Sequence, residues 1–290
     1  MLIRPWILAS RPKTLPAAAA PVLVGSAMAH YLDRVDWLPA GICLVFALLI
    51  QIGTNFANDY FDFKKGADTA ERLGPIRAVA AGLIKPETMK YATAAIFALA
   101  FCVGLALITY GGWWLLVVGI TSVLCGYAYT AGPFPLAYVG LGDLFVMLFF
   151  GVVAVCCTFL VQTGYFTWEV FLISTVIGGL ITNLLVINNI RDIETDRVAN
   201  KRTLAVRFGR TFSIWEYRLF VVWAYGAPLW MVHRFDDFWL ALPLISLPLA
   251  SLLCIKTGSA NSGESYNALL AKTVLLLVLY VTTLSLGLFL

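Results

Sequence analysis

The chain is short of charge: 12% of its 290 residues are Asp, Glu, Lys or Arg, against roughly 25% in an ordinary soluble domain. With 61% hydrophobic and 14% aromatic residues, a soluble fold of this size has no means of hiding its apolar surface, whereas a bilayer does. Histidine is almost missing. The two residues, His30 and His233, belong to no H-E-x-x-H pattern, which excludes that class of metal site. The cysteines (Cys43, Cys102, Cys125, Cys156, Cys157 and Cys254) lie in or beside apolar runs without C-x-x-C spacing, so they read as small core residues rather than a zinc site or disulfide framework. No G-x-S-x-G surrounds a serine, and the Gly-Gly pairs at 111–112 and 178–179 are too isolated to form a phosphate loop. The net charge of +4 sits in short segments between apolar runs, which argues against a nucleic-acid partner. Nothing points to an obligate protein partner.

What the chain has is long hydrophobic runs. A helix needs about 20 mainly apolar residues to cross the hydrocarbon core, with its backbone groups satisfied internally. Nine segments fit: 15–31, 38–58, 88–109, 113–130, 142–161, 170–190, 217–233, 239–255 and 270–290. The expected fold is therefore all-α, a polytopic membrane protein of about nine helices in one bundle. Pro16 and Pro21 interrupt the first span near a helix start, where a missing N–H matters little. No A-x-A-like site follows that span, so it is expected to be retained rather than cleaved as a signal peptide. With the N-terminus cytoplasmic, every Lys and Arg except Arg34 and Arg234 falls on the cytoplasmic side. The positive-inside rule thus predicts N-terminus in and C-terminus out.

Two runs at the cytoplasmic ends of the second and sixth spans carry the chemistry. In "NFANDYFDFKKGAD" at 55–68, Asn55, Asp59 and Asp62 are spaced by four and three and share one helical face, with Asn58 at its flank and Asp68 beyond Gly66. In "NNIRDIETD" at 188–196, Asn188, Asp192 and Asp196 are spaced by fours, while Glu194 points elsewhere. A solvated helix end accounts for the acids but not for Asn55, whose amide needs a partner at the mouth of an apolar helix. Facing carboxylate helices supply the oxygen ligands with which Mg²⁺ bridges to a phosphate. Lys64, Arg72, Arg77, Arg191, Lys201 and Arg202 in the adjoining segments are candidates to clamp a diphosphate, although topology alone explains any single one of them. Tyr127 and Tyr129, near the end of the fourth span, are candidates to face a cation or the acceptor, or else to form an interfacial aromatic belt.

These stretches, with "RLGPIRAVAAG" at 72–82 and "YAYTAGPFPLAYVGLGD" at 127–143, resemble the UbiA superfamily of membrane prenyltransferases, and within it the MenA family. The resemblance spans essentially the whole chain. It implies one domain over 1–290, with cytoplasmic active-site loops near 59–87 and 191–216. It implies Mg²⁺-dependent transfer of a polyprenyl or phytyl group from its diphosphate to 1,4-dihydroxy-2-naphthoate with loss of CO₂, in menaquinone or phylloquinone synthesis. Asp59, Asp62, Asp192 and Asp196 would hold the metal, with Asp68 as a further candidate and Asn55 beside them. In a bacterium the location would be the inner or plasma membrane, with the donor's tail along apolar helix faces. Two positions depart from the wider pattern: Gly66 stands where a carboxylate is common, and Asn200 where glycine commonly precedes the Lys-Arg pair. Asn tolerates a left-handed turn better than most residues.

Two rival functions remain at this stage. One is prenylation of 4-hydroxybenzoate or another phenol. The other is a transporter, for which polar residues within the spans and inverted halves are expected. Both acid clusters lie on one membrane side and the mid-membrane regions are nearly free of ionisable residues, which favours the enzyme. A variant Asp59→Asn or Asp192→Asn is expected to lose metal-dependent turnover and keep its fold.

Overall fold

The computed structural model describes residues 3–66, 74 and 76–290. Among these there is no strand. The helices are α1 (Ile3–Ser10), α2 (Leu15–Leu32), α3 (Trp37–Lys64), α4 (Pro86–Leu105), α5 (Ile108–Gly111), α6 (Trp114–Ala128), α7 (Gly142–Val146), α8 (Ala154–Thr163), α9 (Trp168–Arg191), α10 (Ile193–Val198), α11 (Leu204–Phe235), α12 (Leu247–Ser259) and α13 (Gly263–Phe289). A π-helical turn, Met147–Val153, joins α7 to α8, and a 3₁₀ segment, Phe238–Ser246, leads into α12.

Each of the nine predicted spans falls on a helical segment, and seven segments among the described residues are long and apolar enough to cross a membrane. The two that fall short differ in cause. Helix α6 has only 15 residues, and α11 carries Arg207, Arg210, Glu216, Arg218 and Arg234 along its length.

Side-chain caps set several of the starts. Asp36 accepts from Leu38 N at α3, Thr167 from Val170 N at α9, and Thr203 from Val206 N at α11, each taking up a backbone donor the helix cannot satisfy itself. The largest core packs α2, α9, α11 and α13 together through Met28, Ile173, Ile177, Tyr217 and Leu276. The π-helical turn meets α9 at a glycine seam. A Cβ on Gly178 would lie 2.6 Å from Met147 O and 3.1 Å from Gly151 Cα, both backbone atoms. Overpacking a well-filled interior typically costs about 1–3 kcal/mol. Gly178→Ala is therefore expected to lower the thermal midpoint in detergent markedly, whereas Gly226→Ala, with open space at its Cβ, is expected to leave it near the wild-type value.

Candidate active site

The first motif closes α3. Gly66 ends the helix at φ 68°, a left-handed conformation that glycine adopts without strain, and its N–H reaches Phe63 O at 3.1 Å. That requirement explains why glycine stands at 66. Asn55, Asp59 and Asp62 lie on the buried face of α3, as their spacing predicts. Their partners differ. Asn55 Nδ2 donates to Ser10 O at 2.9 Å and Thr14 Oγ1 at 3.1 Å, fastening α3 to the α1–α2 junction. Asp59 is fully buried, and its two oxygens accept from Ala78 N at 3.0 Å and Val79 N at 3.1 Å. It caps the short turn in which Ala81 N bonds to Arg77 O and Gly82 N to Val79 O. Asp59 thus faces the returning loop, each of its oxygens accepting one backbone N–H. The turn packs through Ala78, Val79 and Ile84 on Phe56, Tyr60 and Met89. It delivers Arg77, whose Nη2 pairs with Asp62 Oδ2 at 3.0 Å.

The second motif is built by hydrogen bonds spaced in fours. Asp192 N bonds to Asn188 O and Asp196 N to Asp192 O, so the helical path continues past the break at Asp192. Helix α10 then stops in a Schellman motif: Asn200 takes φ 54°, its N–H bonds to Arg197 O, and Lys201 N bonds to Asp196 O at 2.8 Å. The Asn200 departure is thereby accommodated. The same turn brings Lys201 Nζ to 3.2 Å from Asp196 Oδ1. Asp192 is held bidentately by Arg191 Nε and Nη2, both at 2.7 Å, and Arg191 Nη1 donates to Asn267 Oδ1 of α13. Arg191 is therefore a buried brace.

Asp196 carries the informative defect. Its Oδ2 is buried with no hydrogen-bond partner among the described residues. Burial pushes its carboxyl above the usual range; Lys201 opposes this, while Asp192 and Asp62 add to it. A buried carboxylate oxygen with like charges nearby is a place that attracts a cation. No group of three His, Cys, Asp or Glu side chains closes into a cage among the described residues. Mg²⁺ needs no such cage, since it is commonly held by one or two carboxylates plus substrate phosphates and water.

Of the other expected residues, Lys64 is exposed, its Nζ 5.2 Å from the Tyr60 ring centroid, and the Arg202 side chain is exposed while its N–H bonds to Tyr138 O. Tyr127 is 45% exposed and meets Phe61 edge-on, whereas Tyr129 lines the interior cavity. Asp68 and Arg72 lie outside the described residues. Lys65, which spacing does not single out from Lys64, donates from its Nζ to Thr130 O at 2.6 Å. Burial lowers its pKa and Asp62 opposes the shift. Tyr138, also outside the sequence-derived candidates, donates to Asp62 Oδ1 at 3.0 Å. The stretch 127–143 carries part of the family resemblance, but no local pattern marks that one residue.

Beneath the motifs lies a cavity of about 290 Å³ between α2, α3, α6, α8, α9 and the π-helical turn. Asn58 and Asn188 line its polar end, each one helical turn before an acid, Asp62 and Asp192. It is lined along α3 from Asn58 to Cys43, about 22 Å at 1.5 Å per residue. Val22, Cys43, Leu107, Leu115 and Val161, which pack together, line its far end.

A model of the UbiA prenyltransferase family matches residues 18–276. A 1,4-dihydroxy-2-naphthoate octaprenyltransferase from Mycobacterium leprae is 36% identical over 275 residues, covering 95% of this chain and 92% of the relative. The protein of the same description from Escherichia coli is 40% identical over 210 residues, covering 70% of this chain and 68% of its own. The solved structure of a UbiA homolog from Archaeoglobus fulgidus bound to DMAPP and Mg²⁺ superposes with a TM-score of 0.68 at 15% identity, covering 98% of each chain. That likeness is one of fold.

Proposed function

Since the chain belongs to the UbiA prenyltransferase family and is a multi-pass integral membrane protein, we propose that it transfers a polyprenyl or phytyl group from its diphosphate to 1,4-dihydroxy-2-naphthoate, on the path to menaquinone or phylloquinone. The observation that carries this reading is the apolar cavity whose polar end abuts the two acidic motifs. A long apolar tail occupies the cavity, and its diphosphate meets Asp62, Asp196 and the cations around them. The naphthoate ring enters between Asn58, Asn188 and Tyr129. The names of the relatives favour this acceptor over 4-hydroxybenzoate.

Asp62 and Asp196 would hold Mg²⁺, as the unpartnered Asp196 Oδ2 suits, with Asp192 beside them and Asp68 as a further ligand candidate. Bound there, the metal supplies positive charge to the departing diphosphate. Lys65, Lys201 and Arg77 add to that charge. The Tyr129 ring faces the allylic carbon as its C–O bond breaks, and the apolar walls keep water from it. The ring carbon bearing the carboxylate supplies the electron pair for the new C–C bond. The carboxylate then leaves as CO₂, its bonding electrons returning to the ring.

The domain is single over 1–290, with nine spans, N-terminus cytoplasmic and C-terminus outside. Acceptor competition tests the substrate. With purified protein, an allylic prenyl diphosphate and Mg²⁺, 1,4-dihydroxy-2-naphthoate is expected to be prenylated in preference to equimolar 4-hydroxybenzoate. The reverse preference moves the chain to a phenol-prenylating branch.

A further inference from the structure

We propose that Tyr138 is a positioning residue that latches the two acidic motifs into one diphosphate seat, a role that rests on the prenyl-transfer reading. Its backbone belongs to the second half of the site. Arg202 N bonds to Tyr138 O at 2.9 Å and Arg207 Nη2 to Val139 O at 2.8 Å. Gly140, at φ 75°, lets this strand of loop lie so close that a Cβ would meet Arg202 O at 2.9 Å. Its side chain belongs to the first half, where the hydroxyl donates to Asp62 Oδ1 at 3.0 Å. The loop around it is folded back on α6 through Leu136 N to Ala128 O and Ala137 N to Tyr129 O. One residue therefore ties the end of α3 to the segment after α10.

The ring also collects the cations. Lys65 Nζ lies 4.3 Å from its centroid and Lys201 Nζ 5.9 Å, one lysine from each motif. An aromatic face holds an ammonium near without neutralising it. Arg77 and Arg191 are held in carboxylate pairs; Lys201 is paired too, with Asp196 at 3.2 Å, and Lys65 donates to Thr130 O, but a lysine on a flexible stem is a point charge that moves readily to a phosphate oxygen. In the bound state Lys65 and Lys201 exchange the ring for the diphosphate, and Tyr138 keeps Asp62 oriented.

The test uses the full-length protein in detergent, with Mn²⁺ and inorganic pyrophosphate as probes and bound Mn²⁺ read by electron paramagnetic resonance. Tyr138→Phe keeps the ring and the loop and removes only the hydroxyl. Removal of such an outer-shell partner typically lowers metal affinity by about 10–100-fold. That loss is expected for Mn²⁺ with pyrophosphate, at an unchanged thermal midpoint. Lys65→Met is expected to weaken pyrophosphate binding several-fold while Mn²⁺ alone binds as in the wild type. This second variant carries the test if Tyr138→Phe misfolds. Wild-type binding in Tyr138→Phe, wild-type pyrophosphate affinity in Lys65→Met, or no Mn²⁺-pyrophosphate binding by the wild-type protein would each overturn the latch. If the wild-type protein binds the probes and the variants weaken as stated, yet no naphthoate is prenylated, the acceptor reading fails and the latch stands.

Discussion

Asp196→Asn loses Mg²⁺-dependent prenyl transfer by about 10²–10³-fold in kcat, the size of effect seen when one group that stabilises transition-state charge is removed, and it stays folded. The geometry gives both halves of this result. Asp196 Oδ2 is buried and already makes no hydrogen bond among the described residues, so an amide NH₂ in its place exchanges one unsatisfied group for another, while Oδ1 still accepts from Lys201. Burial, Asp192 and Asp62 all disfavour the charged carboxylate, with only Lys201 opposing. Removing the charge therefore relieves repulsion in the free protein and deprives the bound metal of a ligand. Turnover by mass spectrometry and a thermal melt in detergent check the two parts. Near-wild-type turnover in a folded variant removes Asp196 from the metal site.

Asp59→Asn produces the opposite pattern, a loss of stability. Both carboxylate oxygens accept backbone N–H groups, from Ala78 and Val79. An amide presents NH₂ where an acceptor is needed, leaving a buried donor unsatisfied at about 1–3 kcal/mol. The turn that carries Arg77 to Asp62 loosens with it. The expected result is a lower thermal midpoint and faster proteolysis within residues 76–85, with turnover falling as a consequence. Asp59→Asn with a wild-type melt and intact loop contradicts this assignment and returns Asp59 to the metal. The sequence-based expectation that both Asp59→Asn and Asp192→Asn keep their fold is thus revised at Asp59.

The difference between these two aspartates shows where the sequence was legible. Spacing by fours and threes is a local property of a helix, so the shared face of Asn55, Asp59 and Asp62 could be read directly. What that face meets depends on a chain return that puts Ala78 and Val79, 19 and 20 residues on, against Asp59, and no local pattern encodes the return. Tyr138 is harder still, being 76 residues from Asp62 in a loop without periodicity. Lys64 and Lys65 are adjacent and chemically alike, and what separates them is Thr130 O, 65 residues on, which Lys65 reaches while Lys64 lies over the Tyr60 ring. The spans were legible because apolar runs of membrane length are long-range in sequence and simple in physics. Helices α6 and α11 are the ones where brevity and charge blur that signal.

The most direct test of the central claim is a product balance on purified protein in detergent, with 1,4-dihydroxy-2-naphthoate, an allylic prenyl diphosphate and either Mg²⁺ or chelator. Prenylated naphthoquinol, CO₂ and pyrophosphate are expected in equal amounts, only with Mg²⁺ and without any sealed membrane or gradient. Pyrophosphate released without a prenylated ring, or activity that requires sealed vesicles and a gradient, would contradict that claim.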